Sequence, residues 1–173
     1  MNNVCVYCEL GEEKISDVSL ELLTKGRGIA NQLKCQLEAL LLGHNLEKFE
    51  KEIFSYGVDV LYVADDSRLF PYSTLPHTSV MTKLFREQKP QIVLMGATTI
   101  GRDLGPRVSS ALKSGLTADC TELKIGDYED NDKTYKDLLY QIRPAFGGNI
   151  IEAIMLIINI PKKHQNISCY IYN

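Results

Sequence analysis

The chain has 173 residues, 45% of them apolar and 24% charged, which is enough for one domain with a real core and too little for two. A net charge of -3 without a Lys/Arg cluster argues against nucleic acid as a partner, and no stretch offers the roughly 20 apolar residues of a membrane-spanning helix. Five cysteines, an odd number, with no basic or apolar leader, predict reduced thiols in a cytoplasmic protein.

Val4 to Glu9 reads as a short strand. Cys5 and Cys8 inside it have CxxC spacing, but an offset of three along a strand puts them on opposite faces, away from the helix N-terminus that a redox pair needs. Cys35, Cys120 and Cys169 read as small buried apolar residues. Ser16 or Asp17 caps a helix to about Lys34 that turns Leu20, Leu23, Ile29, Ala30 and Leu33 toward the core. Gly26 and Gly28 each cost this helix about 1 kcal/mol relative to alanine, so the pair predicts close packing on a sheet. Gln36 to Leu42 is a second strand, His44 stands in an exposed loop, and Leu46 to Ser55 forms a short amphipathic helix. Val58 to Ala64 is a third strand. At its carboxyl end Asp65 and Asp66 read as a solvated turn, or else as a metal or ribose site for a hydrolase or transferase. Pro76 marks the first turn of a helix to Gln88, and Lys89-Pro90 ends it.

The stretch from Ile92 to Thr121 organises the chain. Ile92 to Met95 is a strand buried on both faces, Gly96 to Gly101 is a small-residue turn, and about Arg102 to Lys113 is a helix with Leu104, Val108 and Leu112 on one stripe. Leu116 to Cys120 is the next strand. Gly96 and Gly101 have the spacing of a phosphate-binding loop, but Arg102-Asp103 stand where that motif needs Lys and Ser or Thr. Asp103 is then expected to cap the helix start.

Beyond Thr121 the pattern changes to a hairpin, Glu122 to Ile125 with Tyr135 to Ile142, around an acidic loop from Gly126 to Asp132. Arg143 to Asn149, RPAFGGN, follows, where glycines after an aromatic allow close approach of another molecule and Arg143 offers a fixed cation. The fold class is therefore α/β, three-layer, a mainly parallel sheet with helices on both faces plus a C-terminal β-hairpin.

GATTIGRDLGPRVSSALKSGLTADCTEL and RPAFGGN together resemble the two signatures of the N-terminal domain of the electron-transfer flavoprotein alpha subunit, from about Val4 to Asn149. The resemblance implies a nucleotide-binding, adenine nucleotide alpha hydrolase-like fold over one domain, 1–173, family-like to about 149. It also implies docking to a beta subunit in electron transfer linked to acyl-CoA dehydrogenase and fatty acid β-oxidation. Thr98, Arg102, Asp103, Arg107 and Phe146 would lie at the interface, and Arg143, Gly147 and Gly148 near the partner's flavin. The chain is expected to hold no cofactor and no catalytic activity alone, with FAD present in the intact complex and self-association when isolated. The tail from Glu152 departs from the family's PQMATVRPG-like segment, as a single-domain piece or a reading-frame shift near residue 150 would, and the FAD-binding C-terminal domain is not among these residues. The alternative is an adenine-nucleotide-binding module like the nucleotide-binding stress proteins, although the chain carries no SGGxDS loop.

Overall fold

Apolar β-branched runs separated by amphipathic stretches can be satisfied only by a sheet buried on both sides. The computed structural model describes residues 3–11, 14–130, 133–144, 151–156 and 167–171 and has that arrangement. Strands β1 (Val4–Cys8), β2 (Leu37–Gly43), β3 (Val60–Asp65), β4 (Ile92–Gly96), β5 (Leu116–Cys120) and β9 (Ile167–Ile171) form one parallel sheet in the order β3-β2-β1-β4-β9-β5. Strands β6 (Glu122–Asp130), β7 (Lys133–Pro144) and β8 (Ile151–Leu156) form a second, antiparallel sheet. The predicted hairpin is thus part of a three-stranded sheet. Much of its acidic loop is strand: Tyr128, Glu129 and Asp130 pair with Tyr135, Thr134 and Lys133.

The core has two halves. Val4, Val6 and Cys8 face one way, with Leu37, Ala39 and Leu41 beside them, beneath helices α1 (Asp17–Leu33) and α2 (Glu47–Ser55). Cys5 and Tyr7 face the other way, with Leu40, Leu42, Val93 and Met95, beneath helices α3 (Thr74–Gln88) and α4 (Thr99–Leu112). The two cysteines of the CxxC therefore sit in opposite halves of the core, as the strand period requires. Leu123 and Leu139 of the antiparallel sheet join the half under α1.

Caps fix where the helices begin and end. Ser16 caps α1 by accepting from the Ser19 N–H. Helices α1, α3 and α4 end at Lys34, Lys89 and Lys113, each in the left-handed region with φ of 53°, 52° and 56°. Near the other edge of the α1 side, Arg27 ties its helix to the start of β3 by donating to Asp59 at 2.7 Å and to the Gly57 carbonyl at 3.0 Å.

Gly26 and Gly28 divide. A Cβ on Gly26 would lie 2.9 Å from Leu37 Cδ1 and 3.1 Å from Val6 Cγ2, so α1 presses onto the sheet there. A Cβ on Gly28 would meet nothing within 4 Å, and the expectation of close packing is corrected for that residue: it faces outward. The two alanine variants should accordingly shift urea midpoints in opposite directions. Gly26→Ala is expected to cost about 1–3 kcal/mol by overpacking, and Gly28→Ala to add about 1 kcal/mol through helix propensity.

Candidate functional site

From β1 the chain steps to β2 and β3 on one side, then crosses back through α3 to place β4 on the other side of β1. The reversal falls between β1 and β4, and in open α/β sheets the ligand crevice lies at the carboxyl ends of such a strand pair. What fills that position decides what the domain can bind.

It is filled by the chain itself. Glu9 follows β1, and its Oε2 accepts a hydrogen bond from Thr98 Oγ1, which follows β4. Thr98 also caps α4, accepting from the Gly101 N–H at 3.0 Å. The Glu9 N–H donates to Ser19 Oγ at 2.8 Å, which locks the first turn of α1 onto the same place. Val18 of that turn leaves no room beside β4, since a Cβ on Gly96 would come within 2.9 Å of Val18 Cγ1. Gly96 therefore serves the packing of α1 against β4. Burial raises the Glu9 carboxyl above the ordinary glutamate range, partly offset by the Thr98 hydrogen bond. Glu9 stands directly after β1, at the end of the stretch whose pattern predicts the first strand, and an acid in that position is the signal for it.

Asp103 does not cap α4, contrary to expectation, because the helix starts four residues earlier at Thr99. Instead its carboxylate accepts from Thr74 Oγ1 at 2.6 Å, Tyr72 Oη at 2.7 Å and Arg107 Nε at 3.0 Å. These bonds staple α4 to the segment entering α3, and they hold the Asp103 carboxyl at about 2. Arg102 and Arg107 are exposed on α4, and Arg102 Nε donates to the Ala97 carbonyl. Of the four interface residues expected on α4 and its cap, Thr98 points into the crevice, Asp103 is half-buried, and the two arginines face outward.

Arg143 lies near the end of β7 with its backbone paired to Glu152 of β8. Its neighbour Ile142 accepts through its carbonyl from the Thr121 N–H at 2.7 Å, just past the carboxyl end of β5. The α4 turn and Arg143 thus reach the same edge of the parallel sheet. Phe146, Gly147 and Gly148 lie outside the described residues.

Asp65 and Asp66 turn to different partners. Asp65 accepts from the Leu46 N–H at 2.8 Å, the Asn45 N–H at 3.0 Å and His44 Nδ1 at 3.0 Å, securing the entry to α2. The bond from Leu46 and the His44 contact lower its carboxyl. Asp66 pairs with Arg68 Nη2 at 2.6 Å and is also lowered. Behind Tyr72, a recess of about 10 Å³ lined by Tyr7, Leu42, Phe70 and His77 has room for one water. Burial lowers His77, whose Nδ1 contacts the Ser73 carbonyl.

Residues 4–159 match the electron transfer flavoprotein domain. The chain is 47% identical over 152 residues to the electron transfer flavoprotein subunit alpha of Clostridium acetobutylicum, covering 88% of this chain and 43% of the relative. It is 38% identical to the acryloyl-CoA reductase electron transfer subunit beta of Anaerotignum propionicum, covering 88% of this chain and 46% of the relative. It is also 38% identical to the lactate dehydrogenase (NAD(+),ferredoxin) subunit LctC of Acetobacterium woodii, covering 88% of this chain and 34% of the relative. The chain spans less than half the length of these relatives.

The two carboxyls predict opposite pH dependences. Asp103 is depressed from an unfolded value of about 3.9, so its stabilisation is full above that value and is lost as pH falls toward about 2. Asp103→Asn should therefore lower stability at neutral pH and flatten the acid limb in urea titrations. Glu9 is raised, so its contribution is fullest in acid and declines as pH climbs through the raised value. Glu9→Gln should remove that decline, seen as a flatter dependence of the urea midpoint on pH above the ordinary glutamate range.

Proposed function

Because this chain belongs to the electron transfer flavoprotein family, we propose that it is the portion of an alpha-type subunit that docks a beta-type subunit and helps frame the partner's flavin. The observation that carries the reading is the closed crevice. Glu9, Thr98, Ser19 and Val18 occupy the position where a sheet of this kind takes a ligand, while Arg102 and Arg107 of α4 face outward from the same edge. A domain arranged in this way recognises another protein's surface and leaves the cofactor to that protein. The chain acts as a scaffold with no turnover of its own. Its chemical contribution is cationic: arginine guanidinium groups beside a flavin favour the anionic reduced forms of the ring. Arg143, on the family signature, is assigned to the flavin side, with Gly147 and Gly148 allowing close approach, and Phe146 to the interface.

The electron donor is proposed to be an acyl-CoA dehydrogenase. The acryloyl-CoA reductase subunit among the relatives supports a partner that acts on an acyl-CoA, there in the direction of reduction, and the lactate dehydrogenase subunit names the competitor to be tested beside it. Without its partner the chain exposes Leu75, Phe54, Val63 and Phe70, surface that self-association would cover.

The purified chain should show no flavin absorbance alone and should yield a stable flavin-containing complex when mixed with a beta-type subunit and FAD. Arg107→Glu is expected to weaken that complex about tenfold or more, whereas Lys34→Glu at the opposite edge of the sheet leaves it unchanged. A stoichiometric flavin on the isolated chain would overturn the division of labour, and equal effects of the two charge reversals would remove the α4 edge from the interface.

A further inference from the structure

Strands β4 and β5 follow one another in the chain, joined by α4, yet they do not pair. A slot separates them, and β9 fills it, parallel to both. Each side of this slot is a row of backbone N–H and C=O groups that needs a strand between, because unpaired main-chain groups inside a covered sheet are costly. The two sides hold β9 unequally. Toward β4 the register is continuous, Ile92 to Gly96 against Ile167 to Ile171. Toward β5 it covers only Leu116, Thr117 and Cys120, with a shift between Thr117 and Cys120.

The slot specifies a parallel strand in one register. It does not specify which molecule supplies that strand. The chain comes to β9 from β8, which belongs to the other sheet, through residues 157–166. Ten residues span up to roughly 33 Å when extended, long enough to lead outward to another copy as well as back into the same one. Pairing of residues 167–171 with 92–96 closes a long loop, as the pairing of β1 with β4 does, so the chain's own strand has no advantage of nearness in sequence. A slot filled by a strand so distant in sequence is open to the same strand of another molecule.

We propose that β9 is an exchangeable strand, and that two copies of this chain associate by each inserting its β9 between β4 and β5 of the other. Every pairing of the monomer is then recreated and the assembly closes on a two-fold axis, leaving no slot unfilled. The chain's own strand is present at an effective concentration of roughly millimolar, so dilute chains close on themselves and concentrated refolding gives exchange. This inference does not rest on the flavoprotein reading.

The test uses register. Leu94 of β4 is the partner of Cys169 in β9, and neighbouring strands about 4.8 Å apart lie within the Cα spacing a disulfide accepts. The 173-residue chain carrying Leu94→Cys, with Cys35→Ser to remove a half-buried native thiol, is refolded at about 1 μM, far below that effective concentration, and at about 500 μM, close to it. It is then oxidised, run without reductant and mapped by peptide mass. In dilute refolding the engineered thiol should join Cys169 within one chain. In concentrated refolding the same two peptides should be joined between chains, with the covalent dimer fraction rising about tenfold or more. Closure within one chain at both concentrations would overturn the proposal, even if those chains dimerise. A dimer linked through other cysteines would overturn it too, as would absence of the link to Cys169. Thr117→Cys, whose partner in register is also Cys169, asks the question from β5 should Leu94→Cys fail to fold.

Discussion

The constraint on which the rest depends is that β1 and β4 are buried on both faces. Val4 to Cys8 and Ile92 to Met95 are 0–2% exposed, so both rows of side chains along each strand require a covering layer. Helices on the two sides supply it, and right-handed crossovers between parallel strands fix which helix goes where. α1 and α2 therefore share one face with Val4, Val6 and Cys8, and α3 and α4 share the other with Cys5 and Tyr7. The direction of winding must reverse between these two central strands for both faces to be covered. Core, layers and the position of the candidate site thus follow from one requirement of burial.

At that reversal the molecule has chosen closure. The carboxylate of Glu9, the hydroxyl of Thr98 and the first turn of α1 meet where other sheets of this architecture take a ligand. The stapling of Asp103 to Tyr72 and Thr74 holds α4 against the entry to α3, and Arg102 and Arg107 stay on the outside of the same element. A rigid edge with its crevice closed suits the recognition of a protein partner, since a preorganised surface spends less of its binding energy on ordering.

The helices and most strands were legible because caps and periodicity agree locally. Ser16 precedes an apolar pattern of helical period, and α1 begins where that pattern begins. Where the structure departed from expectation, a partner distant in sequence had the deciding vote. Asp103 has the composition of a cap, but Tyr72 and Thr74, some thirty positions earlier, claim its oxygens. The acidic stretch after Ile125 has the residues of a turn, yet cross-strand pairing, including the Tyr128–Tyr135 ring contact with centroids 6.4 Å apart, makes it strand. The insertion of β9 between β4 and β5 is a fact of strand order, which no local pattern encodes. Membership of the family was legible from two short motifs. The closing of the crevice was not, because it depends on Glu9 and Thr98 meeting across eighty-nine positions of sequence.

The lysines that end α1, α3 and α4 bear on the electrical character of the domain. Parallel strands point all these helices the same way, so their negative ends gather at the amino edge of the sheet and their positive ends at the carboxyl edge. Lys34, Lys89 and Lys113 stand at the first edge, and Glu9, Asp65, Asp66 and Asp103 at the second. Each rim carries side chains opposite in sign to the field of its helix ends, and the field is largely quenched before it leaves the surface. A phosphate nearing the carboxyl edge meets carboxylates, two of them paired with Arg68 and Arg107, in place of bare helix ends. Attraction over distance is accordingly weak, and the charge this edge shows a partner at contact is that of Arg102 and Arg107.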